Sequence, residues 1–201
     1  MAIQIWDAQA GQYKSADLAR FGGSGTLTEA LVWDGTQYVK VWPTSPVDTW
    51  YDDFTSPTLH ERWQLLAGDY TPPGLTDAAV LGPQVEGDFE LTFSASVAGG
   101  DVNVSLLDAD MQQVALASVN GVGQASLGID GDVVANSSEG VVAGPVTLRR
   151  ANGAWTVLHD GDPVPAVGGG TLTAPDSHTG PLVVACAAFG ATLVNIAYTG
   201  L

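Results

Sequence analysis

The segment Val146-Thr-Leu-Arg-Arg-Ala-Asn-Gly-Ala-Trp-Thr-Val-Leu-His-Asp-Gly161 leaves the backbone few choices. Two short runs with alternating apolar positions flank Asn152-Gly153, a dipeptide that accepts positive φ at both centres of a tight turn. Side chains alternate along a strand, so Val146 and Leu148 share one face of the first run, and Trp155 and Val157 share one face of the second. Asp160-Gly161 turns the chain again. The segment therefore reads as a β-hairpin with one buried indole.

The same grammar continues through most of the chain. Phe89, Leu91, Phe93, Ala95 and Val97 alternate with polar residues, Gly99-Gly100 reads as a turn, and Val102, Val104 and Leu106 alternate again. Asp108-Ala-Asp110 turns into Val114-Ala-Leu116, and Leu127 and Ile129 lead to the hairpin signal Asp130-Gly131. Leu182 to Ala188 is apolar on both faces, as in a central strand, and Leu193 to Tyr198 forms a last strand. Long helical patterns are missing, while 25 Gly and 11 Pro supply turns. Short strands at this spacing predict an all-β antiparallel sandwich.

Residues 1–43 are different. Ile5-Trp-Asp-Ala-Gln-Ala-Gly-Gln-Tyr-Lys14 is echoed by Val32-Trp-Asp-Gly-Thr-Gln-Tyr-Val-Lys40, each a strand, a turn and a strand, with Trp before the turn and Tyr after it. Between them, Ser15 to Arg20 reads as at most one or two helical turns, and Gly22-Gly-Ser-Gly25 as a hinge. A Pro-rich linker over 44–47 leads to a sandwich over 48–201. Units of about 40 residues rarely fold alone. Fixing roughly 43 residues costs on the order of 60 kcal/mol of chain entropy, which calls for roughly 2,500 Å² of apolar burial. The expectation is an assembly arm that packs on its own domain, a symmetry mate or a different subunit, with Ile5, Trp6, Tyr13, Trp33, Tyr38 and Trp42 as contact residues.

The charge excludes some functions. The chain carries 6 basic and 22 acidic residues, a net −16. Phosphate binding needs clustered Lys and Arg, so a nucleic-acid surface is not expected, nor is unassisted docking on an anionic membrane. No run reaches the length of a membrane span. Cys186, the one cysteine, sits in an apolar run and reads as a small buried hydrophobe. The N-terminal residues show no basic region or apolar stretch of a signal peptide, which fits a chain made and kept in a cytosol or one that leaves the cell without the usual export signal.

The order of signals over 48–201 resembles the concanavalin A-like lectin/glucanase jelly roll in its laminin-G-like form. The resemblance rests on Asp52-Asp-Phe54 with Leu59 and Trp63, on Gly87-Asp-Phe-Glu-Leu91, on Leu148 to Trp155 with Asp160-Gly161, and on Val194-Asn-Ile-Ala-Tyr198. It implies a jelly roll and leaves function open, since members bind sugars, cleave them or do neither. The arm is similar to the start of tail and other virion proteins of phages infecting actinobacteria, where short Trp-Asp-Gly-x-x-Tyr-x-Lys hairpins recur. Together the two likenesses imply a structural component of a virion: a minor tail or tail-tip protein, or else a head decoration protein. Such a protein would join other virion proteins through residues 1–43, as a homo-oligomer in the particle, and display the jelly roll, with a cell-surface glycan as a further partner. The rival class is a free carbohydrate-binding module or a glycoside hydrolase.

Candidate chemistry is sparse. Glu86-Gly-Asp88-Phe-Glu90 looks like the E-x-D-x-E strand of the glucanase branch, whose carboxylates act as nucleophile, helper and acid/base. Alternation would put all three on one strand face. The plainer reading is a solvated face opposite Phe89 and Leu91, so an enzyme is not expected. Asp108/Asp110, Asp130/Asp132 and Asp160/Asp162 could gather calcium, which related lectins carry, yet Asp-Gly is also ordinary turn chemistry, and no cofactor is expected. His60, His159 and His178 are scattered and lack zinc-ligand spacing. Trp50, Tyr51 and Tyr70 lie near the opening loops, where they would either stack on a sugar or fill the core, with burial favoured.

Overall fold

The computed structural model of the chain describes residues 49–141 and 144–201, together with the backbone of five short strands within residues 4–42. The chain divides into two compact units, Met1–Val47 and Asp48–Leu201.

In the first unit, β1 (Gln4–Asp7) pairs antiparallel with β2 (Gln12–Ser15), with Trp6 opposite Tyr13. A second sheet runs in the order β3 (Leu18–Phe21), β4 (Leu27–Trp33), β5 (Tyr38–Trp42), with Trp33 opposite Tyr38. Both expected hairpins form. The short helix expected over Ser15 to Arg20 does not, because Leu18 to Phe21 pairs along β4 instead. The side chains of Ile5, Trp6, Tyr13, Trp33, Tyr38 and Trp42, the hinge at Gly22 to Gly25 and the linker at 44–47 lie outside the described residues.

The second unit is all antiparallel strand: β6 (Thr49–Asp52), β7 (Gln64–Ala67), β8 (Leu75–Val85), β9 (Phe89–Leu107), β10 (Gln113–Val119), β11 (Gln124–Ile129), β12 (Asp132–Gly140), β13 (Val146–Ala151), β14 (Ala154–His159), β15 (Asp162–Pro163), β16 (Thr173–Pro175) and β17 (Leu182–Gly200). The pairings define two layers. One runs β15–β14–β13, then Phe89 to Val97 of β9, then Ala191 to Gly200 of β17, then β6, with β16 beside β14. The other runs β12–β11–β10, then Asp101 to Leu107 of β9, then Leu182 to Phe189 of β17, then β8 and β7.

The two long strands thus belong to both layers. Gly99-Gly100 does not turn the chain back, as the sequence suggested. It bends β9 from one sheet to the other, a corner of the kind bulges make in sandwiches. Between Ala191↔Val97 and Phe189↔Asp101, β9 takes four residue steps and β17 takes two. The extra residues shift the alternation. Phe89, Leu91 and Phe93 point inward before the bend, and Val102, Val104 and Leu106 after it. Only glycine fits at 100, because a Cβ there would lie 1.9 Å from the Phe189 carbonyl oxygen. The partner strand bends at Gly190, whose N–H donates to Asp77 Oδ1 at 2.7 Å.

The organising hairpin forms as expected. Asn152 and Gly153 have φ of 53° and 72°, and Asp160 and Gly161 of 51° and 88°. Trp155 is 1% exposed. An aromatic chain threads the core: Trp155 to Phe89 (6.1 Å), Phe89 to Tyr198 (5.6 Å), Tyr198 stacked on Trp50 (5.9 Å), Trp50 edge-on to Trp63 (5.6 Å), Trp63 to Phe54 (5.6 Å). Cys186 is buried, and burial, with the Asp52 charge adding to it, pushes its thiol far above the usual range. That is the state of an inert core cysteine.

Candidate functional site

The opening loop after β6 frames an open depression of about 570 Å³, walled by Tyr51, Asp53, Ser56, Thr58, His60 and Glu61 with Asp52 and Leu59. The local fold follows from Asp52. Its Oδ1 accepts from Phe54 N at 2.9 Å, and its Oδ2 accepts from the Trp63 indole N–H at 2.8 Å. These bonds hold Phe54, 1% exposed, at φ 50°, a conformation bulky residues seldom adopt. The Phe54 carbonyl is also occupied, by Gly74 N and by the Tyr70 hydroxyl.

The wall groups have fixed roles. Asp53 Oδ1 accepts the Thr55 hydroxyl at 2.7 Å and the Thr55 amide at 3.1 Å. The hydroxyl first and the amide second hold the Asp53 carboxyl below its ordinary value. His60 Nδ1 accepts from the Arg62 amide and from Arg62 Nε, which leaves Nε2–H as the donor of the neutral ring. Arg62 in turn lies over the Trp50 ring at 5.5 Å. Chemically, the depression offers one aromatic face, hydroxyls, carboxylates and an imidazole N–H. Such groups can donate and accept hydrogen bonds beside an exposed ring.

The three aromatic candidates divide. Tyr51 is 60% exposed and lines the depression. Trp50 is buried and stacked on Tyr198, so it presents no face to a ligand. Tyr70 packs against the core and donates to the Phe54 and Ser56 carbonyls. Its phenol is raised by burial first, then by the charges of Asp52 and Asp53. Sequence reasoning missed Asp53, His60 and Glu61. The signal available was their crowding within ten residues of an exposed tyrosine.

The carboxylates Glu86, Asp88 and Glu90 do not share a strand face. β9 begins at Phe89, and Gly87, at φ 74°, turns the backbone between Glu86 and Asp88. Glu90 is ion-paired with Arg149, whose Nε lies 2.6 Å from Oε1. Asp88 accepts from Asn152 N at 3.3 Å. Glu86 and Asp88 instead line a smaller depression of about 380 Å³ with Arg150, Asp176 and His178. There Arg150 is committed: Nε to Asp176 Oδ2 at 2.7 Å, Nη2 to the His178 carbonyl at 2.5 Å, and the guanidinium over Trp155 at 5.4 Å.

The Asp-x-Asp steps do turn work. Asp108 Oδ1 accepts from the amides of Asp110 and Gln112, and Asp130 and Asp160 take positive φ ahead of glycine. Among the described residues, no three His, Cys, Asp or Glu side chains gather as a metal site. Among them also, no helix is long and apolar enough to cross a membrane.

Comparison with known proteins adds the fold. No protein family matches the chain by sequence, and no curated protein does. Among solved structures, the apo Crh5 transglycosylase is 13% identical, covers 77% of this chain and 85% of its own, and has a TM-score of 0.56. The Crh5 transglycosylase in complex with NAG is 14% identical, with the same coverage and a TM-score of 0.54. At such identity the likeness speaks for the fold alone. The chain is an all-β antiparallel sandwich, a concanavalin A-like jelly roll.

Proposed function

We propose that the chain is a structural component of a bacteriophage virion, a minor tail or tail-tip protein that attaches through its first unit and displays the jelly roll. A head decoration protein is the close alternative within that class. The observation that carries the reading is the division at Val47/Asp48 into an arm-sized unit and a sandwich with its own aromatic core. Units of about 40 residues rarely supply enough burial to stand alone, so the arm calls for a neighbour. The Trp-Asp-Gly hairpin likeness of residues 32–40 points to virion proteins, and the net charge of −16 suits an outward-facing part. The test is to delete residues 1–43 and follow the protein into purified particles. Wild type should be present in virions and the deletion missing from them, while the sandwich still melts cooperatively. Wild type missing from particles, or a deletion that is incorporated normally, sinks the reading.

A second reading, a free carbohydrate-binding module, draws on the exposed Tyr51 beside Asp53, His60 and Glu61. It expects a sandwich that binds neutral oligosaccharides equally well with or without residues 1–43. The glucanase reading draws no support from Glu86, Asp88 and Glu90, because the turn at Gly87 takes them off a common face.

A further inference from the structure

In the β12-to-β7 layer, the positions pointing away from the core fall into three rows. One runs Gln84–Val183–Leu107–Gln113. The central row is Gln64–Leu81–Ala185–Ser105–Leu116–Gly128–Val133. The third is Ala67–Ala79–Ala187–Asn103–Ser118–Ser126–Asn136. None of these side chains is Asp, Glu, Lys, Arg or His, in a chain of net charge −16. Carboxylates begin only beyond the rows, at Asp101 and Asp108 on the β9 line. The other sheet is unlike this: its outward face carries the Glu90–Arg149 pair.

We propose that this uncharged face is a self-association surface whose occupant is a second copy of the chain. Charge argues for the second copy. Another −16 molecule is repelled wherever carboxylates meet, and it can approach closely only where neither copy carries any. Area argues the same way. The rows hold eighteen positions, each covering about 4.8 by 6.8 Å, so the face spans roughly 600 Å². Two such faces bury about 1,200 Å² in total, the lower bound of a stable interface. The composition suits close contact, because small Ala, Ser and Gly let the sheets approach while Leu81 and Leu116 supply apolar area. The acidic margins of the two copies repel, so added salt strengthens the association. The inference stands apart from the virion reading.

Sedimentation velocity of the full chain, from roughly 1 to 200 µM at about 0.05 and 0.5 M NaCl, tests it. Wild type should dimerise, several-fold more tightly at the higher salt. Ser105→Glu, in the middle of the face, should weaken the dimer by at least about tenfold. Asn103→Asp adds charge without bulk and should act in the same direction even if Ser105→Glu fails to fold. Thr199→Glu, on the other sheet, should leave association unchanged. A wild type monomeric throughout, a dimer indifferent to Asn103→Asp, or a Thr199→Glu effect as large as Asn103→Asp would overturn the proposal.

Discussion

Two aspartates each hold a tryptophan indole in this sandwich, and they do so in opposite surroundings. Asp176 Oδ1 accepts Trp155 Nε1 at 3.1 Å while its Oδ2 meets Arg150 at 2.7 Å, and the two ion-pair side chains are 6% and 9% exposed. Asp52 accepts Trp63 Nε1 at 2.8 Å and the Phe54 amide, at the edge of an open depression. The same indole–carboxylate bond therefore serves a nearly buried ion pair at the floor of the smaller depression and the wall of the broader one. A charge largely removed from water must be matched by another, whereas a half-buried carboxylate can be held by hydrogen bonds alone.

Breaking each side in turn tests the contrast. Asp176→Ala strands the buried Arg150 charge and should cost about 3–5 kcal/mol, seen as a fall of roughly 10 °C in melting temperature. Asp52→Ala removes two hydrogen bonds near solvent and should cost only about 1–2 kcal/mol by urea unfolding. If the two losses prove equal, burial is not what separates the sites. Tyr51→Ala should change stability by less than about 0.5 kcal/mol, as exposed positions do, and any oligosaccharide binding that wild type shows should disappear with it. The finest test is Thr55→Val. Asp53 titrates below the ordinary 3.8, so its contribution is present at neutral pH and is lost as pH falls through that lowered value. NMR titration of Asp53 should show its pKa rising towards the ordinary value in the variant.

The Arg150–Asp176 pair was out of reach of the sequence, because the two stand 26 positions apart and only the fold brings them together. Local signals were legible where the backbone itself enforces them: Asn152-Gly153 and Asp160-Gly161 declared their turns through positive φ. The same local logic misled at Gly99-Gly100, where glycine answers to the close approach of Phe189 on a distant strand rather than to a hairpin. It misled again at Glu86 to Glu90, since strict alternation holds only while the strand is unbroken and Gly87 breaks it. At Leu18 to Phe21, pairing with β4 overrode a weak helical preference. Tyr51 and Trp50 are adjacent in sequence, and only the pleat decides which of them meets water.

The sandwich begins and finishes on neighbouring strands: Thr49 of β6 sits directly across from Thr199 of β17, a separation of about 5 Å between backbones. A module with its two ends that close can be spliced into a loop of an unrelated scaffold without stretching it. It can likewise hang from a single tether and transmit no pull through its interior. Traction between its two ends would peel β6 away one pair at a time and leave the rest of the sandwich intact.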